Sequence, residues 1–395
     1  MISSYRPYFS RSEILSLLQL RNGREEFEKA VAERTGARYG LAFAYGRSGL
    51  IALFKSLGLS EAEVVMPAYT CEVMAKAVIV SGNKPVFVDI DLTDYNMNIS
   101  AIKKAITPHT RAVIATHMYG YPTDVATLRR EISDDRILII EDAALALQKS
   151  LPGTTNILGD VALYSFGRGK QLYTITGGVI VTNSANLYDK LKSYRDQKMN
   201  QLPRTVWVKR HVQILTAYMA QNGFLEEKLV WLKNLGAIKQ TRAAVGLTRT
   251  PLPQDYASAY ADFQGRIGLA QLGKLEQCLE RCRELAEFYN RNLQDIPHLT
   301  PAPVVPGATY TYYSVRIPRR DEINFRQQMR ARGVEVGANF SYILPNLNAY
   351  QKYANGEYPG AEQAAREVVN LPNYPGLKQK ERQHVVECIR QVLQR

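Results

Sequence analysis

The first candidate for a reactive side chain is a lysine on a glycine-containing loop. Lys170 ends the run SFGRGK, which starts at Ser165 and follows an apolar stretch typical of a strand. A lysine amine attacks carbonyl groups to form imines when its surroundings favour the neutral amine. Arg168, two residues earlier, could supply positive charge or bind a phosphate. Because most loop lysines are merely solvated, the run indicates an amine nucleophile only together with further support.

An aspartate at the end of another apolar stretch is the second candidate. Asp142 stands in IIEDAA, where a predicted strand ends. A carboxylate at this position can bind a metal, cap the next helix or pair with a cationic ring nitrogen. Pyridoxal 5′-phosphate (PLP) needs the last of these, because its protonated pyridine ring is the electron sink for a carbanion. Asp142 alone leaves the three roles open.

Two glycine-containing turns add a candidate phosphate site. The run YGRSGL, Tyr45–Leu50, lies between a predicted strand and a predicted helix. Backbone N–H groups at a helix N-terminus, together with the helix dipole, favour a bound phosphate. Shortly after Lys170, Gly177 and Gly178 begin a predicted strand and allow close backbone approach. Each turn is weak evidence by itself, whereas the order and spacing of all four features are specific.

The segments that carry these residues alternate between strands and helices. From residue 37 onward the apolar runs are RYGLAFAYG, EVVMP, KPVFVDI, RAVIATHMYG, RILIIEDAA, DVALYSF and GGVIVTN. Helical patterns separate most of them, which predicts an α/β fold with a mostly parallel sheet covered on both faces. Ligands of such sheets bind at the carboxyl ends of the strands. Asp142 and Lys170 are expected at these ends.

The sequence also predicts a division of the chain into two domains. Residues 1–255 are expected to form a large domain with an N-terminal arm, 1–30, and a helical insert at about 195–255. Residues 256–395 are expected to form a smaller C-terminal α+β domain. Its first part, YADFQGRIGLAQLGKLEQCLERCRELAEFYNRNL, has apolar residues at helical spacing and predicts one long helix.

Together these motifs resemble the DegT/DnrJ/EryC1/StrS family, the sugar aminotransferases of PLP fold type I. The resemblance extends from about residue 25 to the C-terminus, interrupted by the insert. Its most specific part is Asp-Ala-Ala, Ser-Phe-x-x-x-Lys and Gly-Gly in this order. The resemblance implies that Lys170 forms a Schiff base with PLP and that Asp142 pairs with the pyridine nitrogen. It also implies a phosphate site made by Ser165 and the backbone of Gly46, Arg47 and Ser48.

Three positions depart from the pattern of the family. Cys71 follows Pro-Ala-Tyr-Thr, where the family usually has an aromatic residue stacked on the cofactor ring, and sulfur offers less contact area. Leu145 stands where Gln or His usually lies near the ring hydroxyl. Ala257 stands where many members place an asparagine lent by the neighbouring subunit. Cys71 and Leu145 are therefore predicted to border the cofactor, with Tyr69 or Tyr119 as candidates to cover its ring.

Composition limits the other classes of function. The four cysteines and five histidines are scattered, which predicts neither a disulfide framework nor a metal site. The net charge of +13 is spread along the chain without an arginine-rich run, which argues against nucleic-acid binding. No apolar run is long enough to span a bilayer and no secretory signal is recognisable, so a cytoplasmic location is expected.

The resemblance predicts an enzyme that binds a small-molecule amino donor and a keto acceptor. The expected reaction moves an amino group, with glutamate as donor, to a nucleotide-linked keto sugar. The departures leave open a second hypothesis, in which PLP serves transamination or elimination on a non-sugar substrate. A third is a regulatory protein of the same fold without turnover, against which the presence of both Asp142 and Lys170 argues.

The expected partner is a second copy of the chain. A homodimer follows from the resemblance to fold type I and from the apolar side of the insert, which needs a cover. Membrane contact through the basic stretch Lys209, Arg210 and His211 is the weaker alternative.

Overall fold

A seven-stranded sheet forms the centre of the larger part of the molecule. The computed structural model describes residues 1–19, 22–221 and 252–393. The strand order is β1-β7-β6-β5-β4-β2-β3; β7 is antiparallel to both neighbours and the other pairs are parallel. The strands are β1 (Tyr39–Phe43), β2 (Glu63–Pro67), β3 (Lys84–Val88), β4 (Thr110–Thr116), β5 (Leu138–Asp142), β6 (Val161–Ser165) and β7 (Gly178–Thr182).

Helices and a small sheet complete the described part of the chain. The helices are α1 (Arg11–Ser16), α2 (Gly23–Thr35), α3 (Gly46–Ser56), α4 (Glu72–Val80), α5 (Ile99–Ala105), α6 (Val125–Glu131), α7 (Ala185–Lys198), α8 (Arg204–Gln221), α9 (Asp262–Leu272), α10 (Leu275–Leu293), α11 (Arg319–Ala331), α12 (Pro359–Glu367) and α13 (Gln379–Leu393). The small antiparallel sheet contains β8 (Tyr313–Arg316) and β9 (Val368–Leu371).

Both faces of the large sheet are buried, as the apolar runs predicted. Successive residues of a strand point to opposite faces. Leu163 and Ile180 join an apolar cluster with Leu53 of α3, whereas Tyr164 joins a different cluster with Phe27 of α2. All seven predicted strands are present, and the predicted α/β class is confirmed.

The single helix predicted over 260–293 is instead two helices. α9 ends at Leu272 and α10 begins at Leu275, with Lys274 between them at φ −117° and ψ 1°, outside the helical region. α9 packs closely on α2, because a Cβ at Gly265 would lie 2.1 Å from the carbonyl oxygen of Gly23. The C-terminal half of α10 buries residues in the cluster that includes the small sheet. The two helices therefore pack against different parts of the molecule.

The C-terminal part has the predicted mixture of strands and helices. Tyr313 of β8 pairs with Leu371 of β9, and α10 to α13 belong to the same part of the chain. The domain boundary at residue 255 stays a prediction. Within the predicted insert, residues 222–251 lie outside the described ones, and its described portion includes the end of α7 and all of α8. Among the helices that the structure describes, none combines the length and apolarity needed to cross a membrane.

Candidate active site

The carboxyl ends of β5 and β6 place two of the predicted residues on neighbouring strands. Asp142 is the last residue of β5 and pairs with Leu163 of β6, which ends at Ser165. Asp142 is buried, and its Oδ1 accepts a hydrogen bond from the backbone N–H of Ala144 at 3.2 Å. This edge of the sheet therefore carries a buried carboxylate and a hydroxyl, as the sequence predicted.

Helix α3 begins next to this edge because two glycines let the backbones approach. A Cβ at Gly46 would lie 3.5 Å from Ser165 Cβ and 3.6 Å from Ser165 Oγ. A Cβ at Gly178 would lie 2.5 Å from Gly46 Cα, which is too close for a real side chain. The first amides of α3 and the Ser165 hydroxyl thus form a set of hydrogen-bond donors, hereafter the α3–Ser165 cradle. The helix dipole adds to the preference of this cradle for an anion.

A later segment of the same chain packs against the first turn of α3. The Ser48 hydroxyl donates to the carbonyl oxygen of Tyr256 at 2.5 Å, and the Ser48 N–H donates to the carbonyl oxygen of Tyr45 at 3.1 Å. Both donors of Ser48 therefore have partners within the chain, and a bound phosphate would have to share or replace them. Ala257 lies one residue further on, and its carbonyl oxygen accepts a hydrogen bond from the N–H of Asn200.

The loop that carries Lys170 is fixed by a tyrosine from the C-terminal part. The Lys170 N–H donates to the carbonyl oxygen of Gly167 at 3.3 Å, and Gly169 has the left-handed φ of +80°. The Tyr312 hydroxyl donates to the carbonyl oxygen of Gly169 at 2.8 Å. A Cβ at Gly169 would lie 2.2 Å from that hydroxyl oxygen. Glycine is therefore required here both by the backbone and by Tyr312.

The charges of the predicted residues act on one another. Burial raises the pKa of Asp142, while Lys170, the hydrogen bond from Ala144 and His117 oppose that rise. Burial likewise raises the pKa of the Cys71 thiol, and the positive charge of Lys170 opposes it. Lys170 acts on both groups because the fold brings together the loops that follow β2, β5 and β6. An amine, a buried carboxylate and the N-terminus of α3 thus share one edge of the sheet.

His117 has a structural environment. Its Nε2 is 3.1 Å from Glu141 Oε2, and its Nδ1 accepts a hydrogen bond from the Thr123 N–H at 2.9 Å. Both ring nitrogens therefore have protein partners that hold the imidazole in place.

Comparison with known proteins decides the family. The sequence matches the model of the DegT/DnrJ/EryC1/StrS aminotransferase family over residues 12–390. The chain belongs to this family. GDP-perosamine synthase of Escherichia coli O157:H7 is 25% identical to it over 371 residues, which cover 92% of this chain and 88% of that protein. The dTDP-3-amino-3,4,6-trideoxy-alpha-D-glucose transaminase of Micromonospora megalomicea subsp. nigra is 28% identical over 379 residues, with coverages of 93% and 89%.

A solved structure shares the fold over the whole chain. The aminotransferase TlmJ from Streptoalloteichus hindustanus is similar with a TM-score of 0.79 and 24% identity, covering 100% of this chain and 99% of that chain. The protein is therefore an aminotransferase of the DegT/DnrJ/EryC1/StrS family, and membership implies PLP as the cofactor of the class. The predicted family and fold are confirmed.

In this aminotransferase two tyrosines lie near Cys71, which replaces the usual aromatic residue. The Tyr342 hydroxyl oxygen accepts a hydrogen bond from the N–H of Glu72, the residue after Cys71, at 3.3 Å. The pKa values of Tyr312 and Tyr342 are both raised, first by burial and next by interaction with Cys71. Neither tyrosine was predicted from the sequence, although Tyr312 lies in the tyrosine-rich run TYTYYS at residues 309–314.

The tyrosines suggested by the sequence as covers for the ring have other partners. Tyr69 and Tyr119 are fully buried, and their hydroxyl oxygens lie 2.6 Å apart in a hydrogen bond. Tyr69 also packs edge-on against Phe340, with ring centroids 5.9 Å apart. Which of these tyrosines neighbours the cofactor ring stays a prediction.

Leu145, the second position that departs from the family pattern, is held in place through its backbone carbonyl. Its side chain is buried, and its carbonyl oxygen accepts hydrogen bonds from Thr309 Oγ1 at 2.8 Å and from Thr311 Oγ1 at 2.7 Å. These threonines belong to the segment just before β8 and were not predicted as site residues. The C-terminal part thus contacts the aminotransferase site next to both departures, Cys71 and Leu145.

Proposed function

We propose that this aminotransferase moves an amino group from an amino acid, glutamate in the first instance, to a nucleotide-linked keto sugar with PLP as cofactor. The observation that carries the proposal is the meeting of Asp142, Lys170 and the α3–Ser165 cradle at one edge of the sheet. Each of the three matches a different chemical group of PLP.

Each part of this edge suits one chemical group of PLP. The α3–Ser165 cradle would hold the phosphate, Asp142 would face the ring nitrogen, and Lys170 would bind the aldehyde carbon. When bound, PLP supplies the electron sink for a carbanion at the carbon that carries the amino group. The glycines at 46 and 178 fit this assignment, because a side chain at Gly178 would push the first turn of α3 away from the sheet.

Asp142 and Lys170 would have separate tasks. The Asp142 carboxylate would hold a proton on the ring nitrogen, and its burial would strengthen that ion pair because water is excluded. Lys170 Nζ would accept the proton from the α carbon of the donor and, in the second half of the reaction, would give one to the carbon that becomes aminated. The Cys71 thiol stays protonated because burial raises its pKa, so it packs rather than reacts.

The acceptor is proposed from the relatives and from charge. Both curated relatives described above carry names of nucleotide-sugar enzymes. A net charge of +13 suits a substrate with a diphosphate. The runner-up is a PLP reaction on a non-sugar substrate, and the departures at Cys71 and Leu145 favour it because they change the surroundings of the cofactor.

The proposal is tested in two steps. Purified protein saturated with PLP should be yellow, and borohydride reduction followed by peptide mapping should place the pyridoxyl group on Lys170. Candidate amino donors should then convert the absorbance of the cofactor, and a keto sugar nucleotide should restore it. Label on another lysine would remove the assignment, whereas restoration only by non-sugar ketones would favour the runner-up.

A cytoplasmic homodimer is part of the proposal. Helix α8 exposes an apolar stripe that a second copy would cover, formed by Val208, Val212, Leu215 and Met219. Light scattering at micromolar concentration should report twice the mass of the chain, and a monomer would contradict the proposal. Co-sedimentation with anionic liposomes tests the alternative of membrane contact.

A further inference from the structure

Helix α8 carries a buried arginine between exposed residues. Arg210 is 2% exposed, whereas Val208 before it and Val212 after it are exposed. Burying a guanidinium group costs free energy unless the charge is paired and the N–H groups are hydrogen-bonded. Arg210 therefore needs strong partners in the rest of the chain.

Two side chains that follow the predicted insert or end it bind the Arg210 guanidinium. Its Nη2 forms an ion pair with Asp255 Oδ2, and its Nη1 donates to Gln264 Oε1 at 2.7 Å. Gln264 is fully buried, and the side chain of Asp255 is 12% exposed. Because little water reaches these groups, their electrostatic attraction is stronger than it would be on the surface.

The second oxygen of the Asp255 carboxylate binds the residue at which α3 begins. The Tyr45 hydroxyl donates to Asp255 Oδ1 at 2.8 Å. Tyr45 is the N-cap of α3, and its carbonyl oxygen accepts hydrogen bonds from the N–H groups of Ser48 at 3.1 Å and Gly49 at 3.3 Å. Burial raises the pKa of Tyr45 to about 12, so its hydroxyl keeps its proton at physiological pH. Arg210 is thus linked through Asp255 to the start of α3.

The Tyr45 ring also contacts a second guanidinium group. Arg47 Cζ lies 5.6 Å from the centroid of this ring, within the range of a cation–π contact, and Arg210 Cζ lies 5.9 Å from it. Arg47 belongs to the first turn of α3. Holding the Tyr45 ring therefore also holds a positive charge at the α3–Ser165 cradle, where it adds to the helix dipole in favouring an anion.

Gln264 extends the contacts of Arg210 to the segment before β7. Its Nε2 donates to the carbonyl oxygens of Thr174 at 2.9 Å and Thr176 at 2.8 Å. Strand β7 begins two residues later at Gly178, the glycine that packs on the start of α3. Arg210 therefore reaches, through one partner on each side, the two backbone segments that meet in the cradle.

We propose that Arg210 is a positioning residue for the phosphate of the cofactor. Through Asp255 and Gln264 it holds the start of α3 and the start of β7 in the arrangement that binds this phosphate. The inference rests on the proposed function, which assigns the phosphate of PLP to the α3–Ser165 cradle. Arg210 acts through its partners, so its loss should weaken binding of the phosphate and spare binding of the pyridine ring.

The binding of pyridoxamine 5′-phosphate and of pyridoxamine to the cofactor-free full chain separates these two contributions. Neither molecule has an aldehyde, so neither forms an imine with Lys170. Isothermal titration calorimetry gives the two dissociation constants, and their ratio measures what the phosphate contributes. The wild-type protein should bind the phosphate ester more tightly by on the order of 100-fold, as two or more charge-assisted hydrogen bonds would give.

Two variants remove the contacts step by step. Tyr45→Phe deletes only the hydroxyl that binds Asp255 and should lower the ratio by roughly 3- to 10-fold, typical of one hydrogen bond. Arg210→Met removes both contacts of the guanidinium and should lower the ratio by roughly 10-fold or more. In the double variant the loss should be smaller than the product of the two single losses, because both residues act through Asp255. Pyridoxamine should bind all of these proteins equally well.

Matched controls separate positioning from stability. Arg195→Met breaks another buried ion pair, in which Arg195 Nη1 lies 2.6 Å from Glu28 Oε1. Tyr313→Phe removes a phenol hydroxyl that donates to Asn290 Oδ1 at 2.6 Å in the C-terminal part. Both controls should be less stable in urea and keep the wild-type ratio. Since Tyr45→Phe leaves the ion pair of Arg210 intact, it decides the question if Arg210→Met does not fold.

The possible results distinguish this inference from the proposed function. A wild-type preference for the phosphate ester that persists unchanged in either variant overturns the role of Arg210 and leaves the proposed function in place. Equal losses of affinity for both ligands also overturn it, because the whole site would then be disturbed. A wild-type protein without preference for the phosphate ester would refute the cradle as the phosphate site, and this inference with it.

Discussion

The α3–Ser165 cradle and the surroundings of Cys71 and Leu145 are built in different ways. The cradle consists of backbone approaches at Gly46 and Gly178 together with one hydroxyl at a strand end. Around Cys71 and Leu145 the contacts are made by side chains from the C-terminal part, Tyr342 and Thr311 among them. Backbone geometry tolerates almost no substitution, whereas side-chain contacts can be exchanged for others of similar size. The first region can therefore match the family while the second departs from it.

The largest effect on turnover is expected when the amine of Lys170 is removed. Lys170→Ala should fold and lose turnover by roughly 10²–10⁴-fold or more, because the proton-transferring group is removed. Steady-state transamination and far-UV circular dichroism measure the two properties. Lys149→Ala, on an exposed lysine of a different loop, is the matched control and should retain activity. Near-native turnover of Lys170→Ala would assign the reaction to another residue.

Replacing the Asp142 carboxylate should have opposite effects on turnover and on stability. Asp142→Asn should lower turnover by orders of magnitude, because the ring nitrogen loses its acidic partner. In the cofactor-free protein the same change should raise the melting temperature at pH 7. A carboxyl whose pKa is raised by burial favours folding below its unfolded pKa of about 3.9 and loses that contribution as pH rises through the folded value.

The sign of this pH dependence provides the check. The stability advantage of Asp142→Asn should shrink as the pH is lowered from 7 toward 4, since the wild-type carboxyl becomes protonated. Thermal melts of both apo-proteins across this range measure it. An advantage that grows at low pH would show that Asp142 is stabilised as a carboxylate, in the manner of a helix cap.

The cradle should be sensitive to a single methyl group. Gly178→Ala places a Cβ 2.5 Å from Gly46 Cα, so α3 must shift away from the sheet. We expect a loss of about 1–3 kcal/mol in the free energy of unfolding together with weaker PLP binding. Urea denaturation and equilibrium dialysis measure the two. Gly356→Ala, where a Cβ would have no atom within 4 Å, is the control, and equal behaviour of both variants would refute the cradle.

Around Cys71, the effect of replacing the thiol on PLP binding should depend on the neighbouring Tyr342. Cys71→Phe restores the aromatic residue of the family but competes for space with Tyr342, whose hydroxyl binds the N–H of the adjacent Glu72, so PLP should bind about 3- to 10-fold more weakly, a penalty of around one kcal/mol. In the double variant with Tyr342→Ala the loss should be recovered. Equilibrium dialysis of PLP against the four proteins decides it. Tighter binding by Cys71→Phe alone would show that the thiol leaves an unused space.

The smallest effect is expected at the hydroxyls that hold Leu145. Thr311→Val removes one of two hydrogen bonds to the Leu145 carbonyl oxygen and should cost about 0.5–1.5 kcal/mol of unfolding free energy. Adding Thr309→Val should cost more than the two single changes together, because the carbonyl then lacks both donors. Thr216→Val on the exposed face of α8, where the hydroxyl also donates to a carbonyl, is the control and should be near neutral.

The sequence was sufficient to predict the large sheet and the cradle. Each strand of a sheet buried on both faces is a continuous apolar run, so the seven strands are visible locally. Asp142 and Ser165 stand at strand ends, and a parallel sheet brings such ends to one edge whatever the connecting segments do. The order of the motifs along the chain also carried the resemblance to the family that the match over residues 12–390 confirms.

Only the tertiary structure showed what surrounds the departures. Thr311 and Leu145 are 166 positions apart in the chain, and no local pattern links them. The break at Lys274, in contrast, has a local signal that the prediction overlooked, because Gly273 directly follows the last residue of α9. Local sequence therefore determined backbone elements and the ends of strands, whereas contacts between distant side chains depended on how those elements pack.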